Sequence, residues 1–239
     1  MPSPDALMIF AAGFGTRMGA LTRDRPKPMI EVAGRPLIDH ALALAEGAGI
    51  ARMAVNLHYR PEPLRAHLAG RPGIRLSEER PEILDTGGGL RQALPLLGGA
   101  GAVFTLNSDA VWTGPNPLTA LAAAWDPARM DALLMLVPAA RARGHAGRGD
   151  FLADPTGRLV RRDADGPEGL VYTGAQILRT GTLGRVPARA FSLNTVWDAM
   201  IAAGRAFGLV HPGGWADVGR PDGIALAEAM LAGAEAADG

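Results

Sequence analysis

A cluster of glycines, one lysine and two distant aspartates are the residues of this sequence best suited to chemistry. Gly13, Gly15 and Gly19 follow the apolar run Leu7-Met8-Ile9-Phe10-Ala11-Ala12, which reads as a buried strand. Glycines placed there let backbone N–H groups close on phosphate oxygens. Neither familiar phosphate fingerprint fits. The third glycine falls one residue late for G-x-G-x-x-G, and the chain has no Gly-Lys pair for a P-loop. Taken alone, such a loop is equally well explained as turn punctuation. Arg17, four residues after Gly13, tilts the segment Ala11-Ala12-Gly13-Phe14-Gly15-Thr16-Arg17-Met18 toward a polyphosphate clamp.

Lys27 is the only lysine among 24 basic residues. In a chain that otherwise uses arginine for positive charge, a lone lysine marks a position where a compact ammonium is needed rather than a planar fork. The competing explanation is a neutral surface lysine. Pro26 and Pro28 restrict the backbone on either side, which would hold the ammonium against a phosphate at little entropic cost.

Asp109 closes the strand-like run Val103-Phe104-Thr105-Leu106-Asn107, at the edge where α/β sheets bind ligands. Asp217 sits in Trp-Ala-Asp-Val-Gly. Two carboxylates plus phosphate oxygens and water suit Mg²⁺; a turn aspartate and a helix N-cap are the plainer alternatives. In Leu84-Asp85-Thr86-Gly87-Gly88-Gly89, three glycines ahead of a helix would bring backbone groups edge-on to a base, or simply form a turn. Asn56 and Tyr172-Thr173-Gly174 are candidates for sugar contacts, with strand-end and turn roles as alternatives.

The elements that must position these residues alternate over the first ~140 residues. Strand patterns at 53–57, 74–76, 103–107 and 133–137 are interleaved with helical patterns at 36–48, 61–68 and 118–125. This predicts a doubly wound α/β layer with a mostly parallel sheet. Arg141 to Gly149 reads as a mobile loop, followed by short antiparallel strands near 151–152, 159–160 and 170–178. Helices are expected at 193–203 and 221–231. The whole chain, 1–239, is expected to be one unit with an inserted lobe.

Composition removes other classes. With 239 residues, 48% hydrophobic, the chain can bury a core without staples. No cysteine means no disulfide, thiolate ligand or cysteine nucleophile. Zero net charge gives no footprint for nucleic acid or a membrane surface, and no apolar run is long enough to span a bilayer. Met1-Pro2-Ser3-Pro4-Asp5 lacks the basic start of a signal peptide, so a soluble cytoplasmic protein is expected. The histidines form no ligand cluster that would support zinc.

Gly13-Phe14-Gly15-Thr16-Arg17-Met18 followed by Arg25-Pro26-Lys27-Pro28-Met29 resembles the paired motif of the sugar-1-phosphate nucleotidyltransferases. The resemblance implies the nucleotide-diphospho-sugar transferase fold, a Rossmann-like three-layer α/β architecture with a mixed, mostly parallel sheet and a small antiparallel lobe. It also implies coupling of a nucleoside triphosphate to a sugar 1-phosphate with release of pyrophosphate. Arg17 would neutralise the pyrophosphate, Lys27 would contact the α-phosphate, and Asp109 and Asp217 would hold Mg²⁺, making Arg17, Lys27 and Asp109 the catalytic set. Ala11, Ala12, Gly13, Gly15, Thr16, Lys27, Asp85, Gly87 and Gly88 would bind the nucleotide in a part spanning about 1–140. Asn56, Gly149, Asp150, Tyr172, Thr173 and Gly174 would bind the sugar, mostly in a part spanning about 141–239.

Within the family, the glycine triplet, His145-Ala146-Gly147-Arg148-Gly149-Asp150-Phe151 and the Trp-x-Asp-Val-Gly close resemble the branch that joins UTP to N-acetylmuramate α-1-phosphate in cell-wall sugar recycling. The Glu-Lys-Pro element that many hexose-1-phosphate relatives use near the sugar is absent, and Arg161-Arg162-Asp163 stands in its place. A guanylyl- or other nucleotidyltransferase for a different sugar, and a non-catalytic nucleotide-sugar-binding protein, remain as alternatives. A monomer is expected.

Overall fold

Alternate residues of the first strand, β1 (Ala6–Phe10), enter two different cores. Leu7 and Ile9 face one, Ala6 and Met8 the other, and all four are fully buried. A strand covered on both faces has no polar side, which accounts for the unbroken apolar run. The computed structural model describes residues 4–238. Met1–Ser3, the start of the stretch read for a signal peptide, and Gly239 lie outside the described residues.

After the glycine segment, a hairpin of β2 (Glu31–Val32) and β3 (Arg35–Pro36) leads into α1 (Leu37–Gly47). Then come β4 (Arg52–Leu57), α2 (Pro61–Leu68), β5 (Ile74–Glu78), α3 (Asp85–Ala93), β6 (Ala102–Asn107), β7 (Ala110–Trp112), α4 (Pro117–Ala124) and β8 (Ala132–Pro138). The remainder supplies β9 (Ala142–Arg143), β10 (Phe151–Ala153), β11 (Leu159–Arg161), β12 (Leu170–Arg179), α5 (Leu193–Ala202), β13 (Ala206–Val210), β14 (Trp215–Asp217) and α6 (Asp222–Asp238). Two helix starts are capped by sequence-legible residues. Asn116 Oδ1 accepts from the Leu118 and Thr119 amides, and Ser192 Oγ accepts from the Asn194 amide.

The main sheet is mixed. β6, β1, β4 and β5 run parallel in that order. β12 lies antiparallel to β6 and also pairs with β8, which carries β13 in parallel. β10 and β11 continue antiparallel from β12, as the short runs of the sequence suggest. One face is covered by α1, α2 and α4 through Ile38, Leu42, Leu64, Leu68, Leu118 and Leu121. The opposite face is covered by α3 and α5 through Leu90, Ala93, Val196, Trp197 and Met200. Helix, sheet and helix therefore form three layers. No helix among the described residues is long and apolar enough to cross a membrane.

Three expectations are corrected. Arg141 to Gly149 is not simply a mobile loop: β9 pairs in parallel with β14, and Arg141 Nη2 donates to the carbonyls of Pro212 (2.6 Å) and Gly213 (2.7 Å). The strand is too short to show periodicity against its Arg/Gly composition. The glycine triplet lies inside the first turns of α3 rather than before a helix. α6 runs on to Asp238 instead of ending near 231. The sequence reading also missed β7 and β13; β7, β14 and β9 form a second sheet beside the ends of the main strands.

Candidate active site

The chain leaves β1 at Phe10 and enters the glycine segment, which is tied down on two sides. Asn56 Oδ1 on β4 accepts from the Ala11 amide (2.6 Å), and Ser108 Oγ after β6 donates to Phe10 O (2.7 Å). Gly15 is left-handed (φ 63°), and a Cβ there would stand 2.9 Å from Thr22 Cγ2 and 3.1 Å from Lys27 Cβ. Glycine is thus required for both the turn and the close approach. Thr16–Thr22 then winds as a 3-10 helix, kinked at Gly19. Ala11, Ala12 and Gly13 line a cavity of about 230 Å³ together with Lys27, Asn56, Asp85, Thr86 and Asp109. Gly15, Thr16 and Arg17 stand outside its walls, and Thr16 and Arg17 are exposed.

Lys27 opens a short 3-10 turn after extended Pro26, closed by Met29 N–H donating to Pro26 O (3.0 Å). Its ammonium is nearly buried and lies 2.7 Å from Asp109 Oδ2. Asp109 lies between β6 and β7, so its place is fixed by two sheets at once. β14 pairs with β7 so that Asp217 stands opposite Ala110, and the Val218 amide donates to Asp109 O (2.9 Å). Burial pushes the Asp217 carboxyl above the usual aspartate range, and the neighbouring Asp109 charge pushes it the same way. Lys27, Arg17 and His145 act in the opposite direction.

The base-recognition expectation is redistributed. Gly87 and Gly88 do not offer their amides to the cavity; both N–H groups donate to Phe191 O (2.9 and 3.1 Å). A Cβ at Gly87 would fall 2.3 Å from the Phe191 ring, and one at Gly88 would fall 2.5 Å from Arg189 O. These glycines let α3 lie against the segment before α5. Asp85 and Thr86, at the start of the helix, do line the cavity. Asp85 is left-handed (φ 58°), and its Oδ1 accepts from the Thr86 amide (2.5 Å).

Asn56 is buried and spends its amide on structure. Beyond its bond to Ala11, Nδ2 donates to Glu79 Oε1 (2.7 Å). Glu79 is fully buried, and its Oε2 accepts from the Leu84 amide (2.7 Å). This relay connects the glycine segment to α3. Glu79 escaped the sequence reading because Ser77-Glu78-Glu79-Arg80 looks like a solvated charge run. The residues expected for a sugar divide similarly. Asp150 and Tyr172 line a second cavity of about 240 Å³, with Arg161, Asn194 and Trp197. Asp150 Oδ2 accepts from the Tyr172 amide (2.8 Å), and burial holds the Tyr172 phenol protonated, well above its usual range.

Gly149, Thr173 and Gly174 do not line that cavity. Thr173 is buried and donates its hydroxyl to Met135 O (2.7 Å). Gly149 (φ 103°) packs against Gly169, and Gly174 (φ 90°) meets Asn107 where β12 shifts register between Tyr172 and Gln176. These residues shape the strand that presents Tyr172. Asn194 and Trp197 were not expected there, and Arg161 only as part of the segment standing in place of a near-sugar Glu-Lys-Pro; their convergence depends on packing β11 beside α5.

Asp109 and Asp217 fit a hard divalent cation: both are oxygen donors, and the Asp109 charge helps to raise the Asp217 carboxyl. Among the described residues, no group of three or more His, Asp or Glu side chains is placed to hold a metal. The remaining ligands would have to be phosphate oxygens and water, the pattern expected for Mg²⁺. Loop amides, a buried ammonium and a carboxylate pair at one sheet edge form an arrangement for holding a polyphosphate and neutralising charge on it.

Comparison with known proteins places the chain in a family. Residues 7–169 match the family of MobA-like NTP transferase domains. The N-acetylmuramate alpha-1-phosphate uridylyltransferase of Caulobacter vibrioides is 41% identical over 238 residues, covering 96% of this chain and 98% of that one. The enzyme of the same description from Neisseria meningitidis serogroup B is 34% identical, covering 95% and 98%. Among solved structures, HddC from Yersinia pseudotuberculosis superimposes with a TM-score of 0.76 at 20% identity, covering 95% of this chain and 99% of that one. That likeness shows the fold, the nucleotide-diphospho-sugar transferase arrangement of a mixed sheet between helical layers.

Proposed function

This chain belongs to the MobA-like NTP transferase family, and from that premise we propose that it joins UTP to N-acetylmuramate α-1-phosphate, releasing pyrophosphate and forming the UDP-sugar. The observation that carries the reading is the convergence of Lys27, Asp109 and Asp217 beside the glycine segment. The near full-length match to the Caulobacter enzyme supports the choice of base and sugar. The chain acts as one nucleotidyltransferase unit, with a nucleotide part over about 1–140 and a sugar part over about 141–239. It works as a monomer in the cytoplasm.

The reaction is an in-line displacement at the α-phosphorus of UTP. The attacking phosphate oxygen is already anionic at neutral pH, so the protein needs no strong general base. Positioning and charge neutralisation do the catalysis. The amides of Ala12 and Gly13 receive the triphosphate, while the Ala11 amide, given to Asn56 Oδ1, fixes the start of the loop. Lys27 leaves Asp109 to take up charge on the α-phosphoryl group, and Arg17 swings from the exposed 3-10 helix onto the departing pyrophosphate. Asp109 and Asp217 would hold a magnesium ion, which would supply neutralisation of phosphate charge. Asp85 and Thr86 border the base, while Asp150 and Tyr172 border the sugar.

The test is pyrophosphate release with Mg²⁺, using UTP, GTP, CTP, dTTP and ATP against the 1-phosphates of N-acetylmuramate, N-acetylglucosamine, glucose and mannose. The expected signal is confined to UTP with the muramate sugar. A signal with another pair keeps the chemistry and changes the substrates. No turnover from folded, nucleotide-binding protein would leave a binding function instead.

A further inference from the structure

The second cavity carries a charge that a neutral sugar would not use. It shares Phe10, Asp85, Thr86 and Asn107 with the first cavity, so one ligand can run through both. Arg161 is the one cation among its lining residues. Its guanidinium lies against two rings, with Cζ 4.8 Å from the Phe151 ring centre and 5.7 Å from that of Trp197. Nε donates to Asp198 Oδ1 (2.8 Å) and Nη2 to Asn194 Oδ1 (2.9 Å), whereas Nη1 donates to nothing among the described residues. The carboxylates of the same wall are already engaged, Asp85 by the Thr86 amide and Asp150 by the Tyr172 amide.

Clamping Nε and Nη2 orients the fork and leaves a donor edge for an anion. A half-exposed cation on an aromatic platform adds little for a neutral hexose. It adds a charge-assisted hydrogen bond for a sugar bearing a carboxylate, and Asp150 and Asp85 disfavour placing that carboxylate anywhere else. N-acetylmuramate is N-acetylglucosamine with a lactyl ether, and the lactyl group ends in a carboxylate.

We propose that Arg161 binds the carboxylate of an acidic sugar 1-phosphate, the lactyl carboxylate for N-acetylmuramate, and so separates this substrate from its neutral parent sugar. The proposal rests on the muramate reading of the function.

The experiment measures kcat/KM with UTP for N-acetylmuramate 1-phosphate and for N-acetylglucosamine 1-phosphate, in the wild type and in Arg161→Gln and Arg161→Met. The methionine variant keeps apolar packing on Phe151 and Trp197, and thermal melting identifies which variants are folded. The expected result is a fall of about 10- to 100-fold in the muramate-to-glucosamine ratio, the size of a lost charge-assisted hydrogen bond, expressed mainly in KM for the muramate sugar. An unchanged ratio in a folded variant overturns the proposal, as does an equal loss on both sugars, which would make Arg161 a general structural support. A wild type that does not favour the muramate sugar overturns the functional reading itself, and that is visible before any variant is made.

Discussion

Lys27 Nζ and Asp109 Oδ2 stand 2.7 Å apart although 82 positions separate the residues in sequence. The pair is nearly closed to solvent on the lysine side and open on the aspartate side. Each partner is the group that a different part of a metal–triphosphate would claim: phosphate takes the ammonium, and the metal takes the carboxylate. Binding of a metal–triphosphate would therefore exchange one internal ion pair for two external ones.

If Lys27 contacts the α-phosphate as proposed, a compact ammonium is needed at this position. Lys27→Arg is expected to lower kcat by about 100-fold or more, as is typical when one preorganised charge contact is lost. Lys27→Ala should do the same. Pyrophosphate release at saturating substrates measures both, and an arginine variant with wild-type turnover would show that positive charge alone suffices.

Two glycines should separate folding from catalysis. Nothing stands within 4 Å of where a Gly13 Cβ would be, so Gly13→Ala should stay within about 0.5 kcal/mol of wild-type stability. It should still lose turnover, because the new methyl occupies the face meant for phosphate. Gly87→Ala drives a methyl into the Phe191 ring and should cost about 1–3 kcal/mol, the usual penalty of overpacking. Urea unfolding of the two variants, beside their activity, checks the contrast.

Asp217 should be needed for the metal rather than for the nucleotide. UTP with Mg²⁺ is expected to raise the melting temperature of the wild type well above UTP with a chelator. In Asp217→Asn that difference should vanish while the shift from UTP alone persists. A full magnesium-dependent shift in the variant would remove Asp217 from the metal site.

Much of this site was legible because local chemistry determined it. The apolar run before Gly13, the proline-flanked Lys27 and the strand-end Asp109 each carry their own signal in sequence, and the structure brings all three to one edge. The failures share a cause. Gly87, Gly88 and Thr173 are small residues spent on close packing, and sequence does not reveal which neighbour a small residue admits. Glu79 and Arg161 owe their positions to partners far along the chain, Asn56 in one case and Asn194 and Asp198 in the other. β9 is two residues long, below the length at which alternation can be read.

His211 should make stability depend on pH. It is fully buried against Trp112, and burial lowers its pKa from the ordinary value of 6.5. The folded state thus prefers the neutral ring. Above 6.5 its contribution is fully present; as pH falls below that value the unfolded chain takes up the proton first, and stability is lost down to the depressed folded pKa. The fall in melting temperature from pH 7.5 to pH 5.5 should be smaller in His211→Gln. It should not disappear, because His40 is lowered for the same reason. Equal falls in the two proteins would exclude His211 as the source.

A chain with one lysine has one side-chain amine, and here it lies on the floor of the cleft. Amine-directed acylation of this protein has only two kinds of target, the α-amino group and Lys27. Modification at the second is a direct readout of whether the cleft is open or filled, without a probe being engineered into the chain.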